Sequence, residues 1–204
     1  MEIDTGQFEN NRRDCNKLNP VIETVTTSIQ GRAVYQRDKI DNLLEIIRLA
    51  GDGDYLEIGV LFGGSLASVA LYKQQLGHLG NCTGIDTFAG IKDKQTGLFV
   101  TYDNARSNLD LLDLKDVVSI KGTRDDIPES GIYKVAYIDG GHEFPDTWLD
   151  FLAVKDRAEY IVFDDYDEHN WPDVFMSCDK AALDNDYELF ARIDSTFVLR
   201  RNNG

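Results

Sequence analysis

The chain has 204 residues, which is room for one substantial domain, and a formal net charge of −15. Hydrophobic residues make up 42% and charged residues 28%, a balance typical of globular proteins rather than of disordered ones. The acidity argues against nucleic acid and anionic lipid as partners, and no apolar run approaches the roughly 20 residues that span a bilayer.

The N-terminal residues lack the basic-then-apolar order of a signal peptide, so a cytoplasmic location is expected. Cys15, Cys82 and Cys178 are far apart and form neither a CxxC pair nor a zinc-binding spacing. They are interpreted as reduced, structural thiols.

Residues 1–36 show no strong periodicity, and we interpret them as an N-terminal extension that acts as a lid or an oligomer contact. Beyond them, strands and helices alternate in one domain over residues 37–204. The predicted elements are, in chain order, a helix over 38–50, a strand over 55–60, a helix over 65–76, a strand over 82–85, a loop over 88–102, a helix over 104–112, a strand over 117–121, a strand over 135–138, a helix over 147–158, a strand over 160–163, a helix over 174–183, and two antiparallel strands over 187–193 and 196–201. This order predicts an α/β fold whose mainly parallel sheet has helices on both faces.

Ligands of such sheets bind beyond the carboxyl ends of the strands, so the polar residues found there are the candidate site. The segment from Glu57 to Ser65 joins a strand to a helix and contains Gly59 and Gly63. Its glycines allow a close backbone approach, and the free N–H groups of the helix suit a carboxylate or a phosphate. The spacing is not GxGxxG, and an acid under the turn favours a cationic amine or sulfonium over a pyrophosphate.

Further strand-end residues extend this candidate ligand site. Asp86, followed by Thr87, ends the second strand, and Thr123 follows the third. A carboxylate at the position of Asp86 can accept hydrogen bonds from both hydroxyls of a ribose, a feature that NAD and S-adenosyl-L-methionine (SAM) share. The plain alternative is an ordinary glycine turn with an acid that caps a helix.

Three acids form a second candidate group: Asp139 after the fourth strand, and Asp164 and Asp165 after the fifth. Carboxylates this close repel one another, which raises a pKa or recruits a cation such as Mg²⁺ or Ca²⁺. The alternative is that they cap helices or pair with basic residues. His142, in the turn after Asp139, is a candidate general base, and Asp139 is the competing one.

Five segments in this order resemble the macrocin O-methyltransferase family and its looser class I relatives. They are Glu57 to Ser65 with its late Gly-Gly-Ser, Gly84-Ile85-Asp86-Thr87-Phe88-Ala89-Gly90, Ser119-Ile120-Lys121-Gly122 followed by Asp125-Asp126-Ile127-Pro128, Tyr137-Ile138-Asp139-Gly140, and Asp164-Asp165-Tyr166. The family has Asp-Gly-Asp where this chain has Asp139-Gly140-Gly141-His142, a turn that is similar to a broader Asp-Gly-x-His group of methyltransferases.

The resemblance implies a Rossmann-like class I methyltransferase with a seven-stranded sheet that ends in an antiparallel hairpin. It implies SAM held by Glu57, Gly59, Ser65 and Asp86. It also implies Mg²⁺ on Asp139, Asp164 and Asp165, with the residue at position 139 serving as base as well. The expected acceptor is a small molecule, such as a sugar hydroxyl of a natural product.

Three other interpretations remain open at this level. One is a methyltransferase without a metal that uses His142 as its sole base. The others are a Rossmann-like enzyme that binds NAD and a SAM-binding protein without catalytic activity. A homodimer is the commonest closed assembly and is the expected oligomer, if there is one.

Overall fold

The computed structural model of the chain describes residues 19–32 and 37–202. Residues 1–18, which include Cys15 and half of the predicted N-terminal extension, lie outside the described residues. The predicted division between residues 36 and 37 stays a prediction. Within the described residues, no helix has both the length and the apolar character needed to cross a membrane.

A single sheet of seven strands forms the centre of the molecule, in the order β3-β2-β1-β4-β5-β7-β6. The strands are β1 (Tyr55–Ile58), β2 (Cys82–Asp86), β3 (Val118–Lys121), β4 (Tyr133–Ile138), β5 (Ala158–Phe163), β6 (Tyr187–Ile193) and β7 (Thr196–Arg201). The first five are parallel, and β7 pairs antiparallel with both β5 and β6. The predicted α/β architecture, including the C-terminal hairpin, is confirmed.

Helices cover both faces of this sheet. They are α1 (Pro20–Ser28), α2 (Arg37–Ala50), α3 (Gly64–Leu76), α4 (Tyr102–Leu111), α5 (Asp146–Val154) and α6 (Pro172–Ala181). One apolar core lies between the sheet and α1 to α4, and the other lies between the sheet and α5 and α6. Alternate residues of β1 show this division, because Tyr55 belongs to the first core and Leu56 to the second.

Helix α1 is a difference from the sequence prediction, which found no element there. Asn19 accepts a hydrogen bond from the Val21 amide at 3.0 Å and begins the helix, which has Pro20 in its first turn. Its buried side chains are Val21, Ile22 and Val25, and it packs against α3. Such a short apolar stripe gives a weak periodic signal, and the helix depends on tertiary packing for its stability.

The chain after α1 is fastened by the side chain of Asn108 on α4. Asn108 is buried, accepts a hydrogen bond from the Gln30 amide at 2.8 Å and donates to the Gln30 carbonyl at 2.8 Å. It also donates to the carbonyl of Phe62, in the glycine turn, at 2.9 Å. One amide side chain therefore joins the N-terminal segment to the turn that follows β1.

The predicted helix over residues 147–158 is too long at its C-terminal end, since α5 stops at Val154. Ala158 instead begins β5 and pairs with Tyr133 of β4. The pairing of the two strands, together with the Tyr187 hydroxyl that donates to the carbonyls of Lys155 and Ala158 at 2.6 Å each, outweighs the helical tendency of these residues.

Candidate active site

A cleft of about 1050 Å³ opens at the carboxyl ends of the parallel strands. It lies where the strand order reverses, between the neighbouring strands β1 and β4, which is where open α/β sheets bind ligands. The cleft is lined by seven residues that were predicted from the sequence: Gly59, Ser65, Asp86, Thr87, Thr123, Asp139 and His142. The predicted acid pair that follows β5, Asp164 and Asp165, lines it as well.

The turn after β1 requires glycine at position 59. Gly59 has a φ of 94°, and a Cβ atom there would lie 2.0 Å from the carbonyl oxygen of Asp139. The turn and the end of β4 are therefore in direct contact through backbone atoms, with no side chain between them. Gly63, with a φ of 86°, precedes the first residue of α3 but does not line the cleft. Gly64 and Ser65, the first two residues of α3, line the cleft, so the free N–H groups of the first helical turn lie beside it.

Glu57 lies beneath this turn and is fully buried, and it does not line the cleft either. Its two carboxyl oxygens accept hydrogen bonds from the hydroxyls of Tyr55 at 2.7 Å and Ser65 at 2.6 Å. Burial raises the pKa of Glu57 to about 8, although these hydrogen bonds oppose the rise. Glu57 therefore acts on the cleft through Ser65, whose side chain it orients.

Asp86 faces the cleft with its carboxylate already fixed by the backbone. Its Oδ2 accepts from the amides of Val60 at 2.8 Å and Leu61 at 2.9 Å, and its Oδ1 accepts from the Phe88 amide at 2.7 Å. Each carboxylate oxygen has further lone-pair capacity, so the group can still accept a ligand hydroxyl. These bonds join the turn after β1 to the end of β2.

Thr87 and Thr123 form part of the cleft wall near Asp86. Thr87 is exposed. Thr123 caps a short 3-10 helix, accepting from the Asp125 amide at 3.3 Å while its own amide donates to Asp126 at 2.8 Å. Its hydroxyl therefore has a structural role as well as a place in the cleft.

The acid and histidine residues gather on the opposite side of the cleft. Donor atoms of Asp139, His142 and Asp165 lie within 4.8 Å of one another, close enough to share a metal ion. Burial, with the neighbouring carboxylates of Asp164 and Asp165, raises the pKa of Asp139 well above its ordinary value. The cluster therefore concentrates negative charge that a cation or a proton must offset.

Asp164 is turned toward a partner that the sequence did not suggest. The ammonium of Lys39, on α2, lies 3.0 Å from the Asp164 carboxylate and also contacts Oδ1 of Asp165. Burial works to lower the pKa of Lys39, but the two carboxylates outweigh it and hold this pKa above its ordinary value. Burial raises the pKa of Asp164, although Lys39 opposes the rise. Of the three acids predicted as ligands, Asp164 and Asp165 are thus both engaged by a buried lysine.

Asp165 links Lys39 to His142. His142 Nε2 lies 2.9 Å from Oδ2 of Asp165, and the other oxygen of the same carboxylate, Oδ1, contacts Lys39. Burial works to raise the pKa of Asp165, but hydrogen bonds from His142 and Lys39 hold it below its ordinary value. The backbone of Asp165 has a φ of 58°, which non-glycine residues adopt rarely and mostly where function or packing demands it.

The ring of His142 stacks on that of Trp171, with the centroids 4.2 Å apart and an angle of 29° between the planes. Asp165 on one side and Trp171 on the other therefore fix the orientation of the imidazole, and both His142 and Trp171 line the cleft. Two basic residues that the sequence analysis did not single out, Arg32 and Arg124, line it as well. Arg32 lies outside every motif that the sequence analysis used, whereas Arg124 directly follows Thr123 and gave no separate signal of its own.

A doubly wound parallel sheet that ends in an antiparallel hairpin, with a polar cleft at its reversal point, defines a class I methyltransferase fold. Comparison with known proteins agrees, because the family model described as a methyltransferase domain matches residues 56–166, more than half of the chain. The chain therefore belongs to the methyltransferase domain family, and the resemblance to class I SAM-dependent methyltransferases is confirmed.

The individual proteins that resemble this chain share only a limited part of its sequence. Over 140 residues the chain is 31% identical to the uncharacterized protein R132 of Acanthamoeba polyphaga mimivirus, a match that covers 65% of this chain and 61% of that protein. The chain thus spans less than two thirds of that relative's length. The solved structures that share the fold include the O-methyltransferase NovP and the O-methyltransferase TomG of Streptomyces achromogenes in complex with SAM. NovP has a TM-score of 0.68 and 18% identity, covering 82% of this chain and 81% of its own. TomG has a TM-score of 0.63 and 14% identity, covering 95% of each chain.

Proposed function

We propose that this protein transfers a methyl group from SAM to a hydroxyl oxygen of a small molecule, assisted by a divalent cation such as Mg²⁺. The observation that carries the proposal is that one cleft joins the glycine turn and Asp86 to the cluster of Asp139, His142 and Asp165. The O-methyltransferases NovP and TomG share the fold, which supports oxygen as the target atom.

The residues around the glycine turn fit SAM. The bare backbone at Gly59 and the N–H groups at the start of α3 suit its amino acid portion, and Asp86 suits its ribose. When bound, SAM supplies the electrophilic methyl group of its sulfonium. The protein itself contributes by placing the proposed SAM site within reach of the acid cluster and by excluding water from the cleft.

The acid cluster fits a divalent cation through two carboxylates and one imidazole. Mg²⁺ prefers oxygen ligands, while an imidazole also suits transition metals such as Fe²⁺ or Zn²⁺, so Mn²⁺ is a useful probe of this mixed set. When bound, such an ion lowers the pKa of an acceptor hydroxyl and orients it. Asp139, His142 and Asp165 are the residues that would hold it, and Asp164 stays a predicted ligand.

The proton of the acceptor hydroxyl needs a base, and the cleft offers two. Burial and the neighbouring carboxylates raise the pKa of Asp139, and His142 is an imidazole already oriented by Asp165 and Trp171. The position of His142 also supports a second candidate mechanism, in which it accepts the proton without help from a metal. Turnover that persists in EDTA would select this second mechanism.

Calorimetric titration with SAM and its demethylated product, with and without Mg²⁺, tests the proposal. We expect micromolar binding that Asp86→Asn weakens at least about tenfold, because the ribose loses a charged acceptor. Asp116→Ala, which removes an exposed acid elsewhere, serves as the control and should change nothing. Additional heat from Mg²⁺ should disappear in Asp165→Asn. A folded protein that binds neither ligand would refute the proposed function.

A further inference from the structure

The cluster of acids contains a cation supplied by the protein itself. Lys39 is buried, with 9% of its side chain exposed, and its ammonium contacts both Asp164 and Asp165. Three carboxylates crowd this part of the cleft, and one ammonium offsets one of their charges. The two acids that Lys39 contacts, Asp164 and Asp165, are neighbours in the sequence, whereas Asp139 follows a different strand.

Packing fixes the place of this ammonium. Lys39 belongs to α2, whose next turns bury Ile40, Leu43 and Leu44 in the core between the helices and the sheet. A helix anchored in this way holds its lysine stem in one direction, so the charge is built into the fold rather than carried by a mobile surface chain.

Asp165 is the residue for which the lysine and a metal ion would compete. Its Oδ1 contacts Lys39, and its Oδ2 lies beside His142 and belongs to the group of three possible ligands. A divalent ion there would share one carboxylate with an ammonium. Like charges at that separation repel, and the low polarity of a buried site strengthens the repulsion.

We propose that Lys39 is an internal counter-cation, which holds Asp164 and Asp165 in place without a divalent ion and weakens the binding of such an ion at Asp139, His142 and Asp165. This inference rests on the proposed function, because it concerns the same cluster. Lys39 is a positioning residue in this role, and it makes the metal an exchangeable component of the site.

Calorimetric titration of the full chain with Mn²⁺ tests the proposal. We expect Lys39→Met to bind Mn²⁺ at least about tenfold more tightly than the unaltered protein, since one positive charge has left the site. Lys39→Arg, which keeps a cation at this place, should restore weak binding. Lys134→Met is the matched control, because Lys134 pairs with Glu159 at the other end of β4, and it should leave the affinity unchanged.

The gain in Lys39→Met should vanish when Asp165→Asn is added. If Lys39→Met does not fold, Lys39→Gln carries the same expectation, because it also removes the positive charge while its amide can still donate a hydrogen bond to Asp164 or Asp165. Unchanged, weaker or absent Mn²⁺ binding in these variants would overturn the role of Lys39. A SAM titration of the same samples separates the two proposals: SAM binding without tighter Mn²⁺ binding defeats only the counter-cation, whereas an unaltered protein that fails to bind SAM defeats the proposed function.

Discussion

The carboxyl group of Glu57 has no exposed surface, and its pKa of about 8 lies far above the ordinary value of 4.5. Between these two pH values the folded protein binds a proton that the unfolded chain has released. The contribution of Glu57 to the free energy of unfolding therefore falls as the pH rises from about 4.5 through 8, and it is lost above the folded pKa. The shift corresponds to roughly 3–5 kcal/mol at alkaline pH.

Replacing Glu57 by Gln should remove this dependence, because an amide cannot ionise and the Tyr55 and Ser65 hydroxyls can still pair with it. We expect the free energy of unfolding of Glu57→Gln to fall less between pH 5 and pH 8.5 than that of the unaltered protein. Urea unfolding at a series of pH values measures it. Glu129→Gln, at an exposed position, is the control. Parallel pH profiles for Glu57→Gln and the unaltered protein would show that Glu57 is ionised throughout.

At the scale of elements, the contact between the β1 turn and the end of β4 depends on one missing side chain. Any Cβ at position 59 would overlap the Asp139 carbonyl, and the two strands would have to separate. The same movement would displace Asp139 from His142 and Asp165. The turn therefore couples the place proposed for SAM to the acid cluster.

Gly59→Ala should destabilise the fold by at least about 3 kcal/mol, since the steric overlap adds to the backbone strain. Gly51→Ala is the matched control: its φ of 79° is similar, but an added Cβ meets nothing within 4 Å. Strain alone should make Gly51→Ala less stable by about 1 kcal/mol. Thermal unfolding of both variants measures the difference. Equal losses would mean that the overlap at position 59 is relieved without moving β4.

Strands β2, β4 and β5 were predictable from the sequence because a polar residue closes each short, mainly apolar run: β2 ends at Asp86, β4 is followed by Asp139, and β5 is followed by Asp164 and Asp165. Helix α1 was not, because its buried stripe of Val21, Ile22 and Val25 is too short to stand out among the neighbouring threonines. The end of α5 was misplaced because strand pairing, a non-local interaction, decides the state of Ala158.

At the scale of the whole molecule, the sequence could indicate which acids share a strand edge but not which cation they meet. Lys39 and Asp164 are 125 residues apart, so no local pattern links them, and their contact arises from the packing of α2 on the sheet. Fold topology thus explains the place of Asp139 and Asp165, while the ion pair with Lys39 follows only from the folded arrangement. The predicted metal ligands and the predicted cytoplasmic location stay predictions.

The net charge of −15 also acts on the molecule as a whole. Self-repulsion of a strongly acidic chain favours expansion, and salt screens it over about 10 Å at 0.1 M. Raising NaCl from about 0.02 to 0.3 M at pH 8 should therefore stabilise the fold by about 1 kcal/mol, which is roughly 2–4 °C in Tm for a chain of this size. At pH 5, closer to the isoelectric point of about 4.5, the net charge is smaller and the same salt should have less effect. Thermal melts at the two pH values measure this, and a Tm that falls with salt at pH 8 would mean that surface ion pairs such as Arg48 with Glu45 outweigh the repulsion.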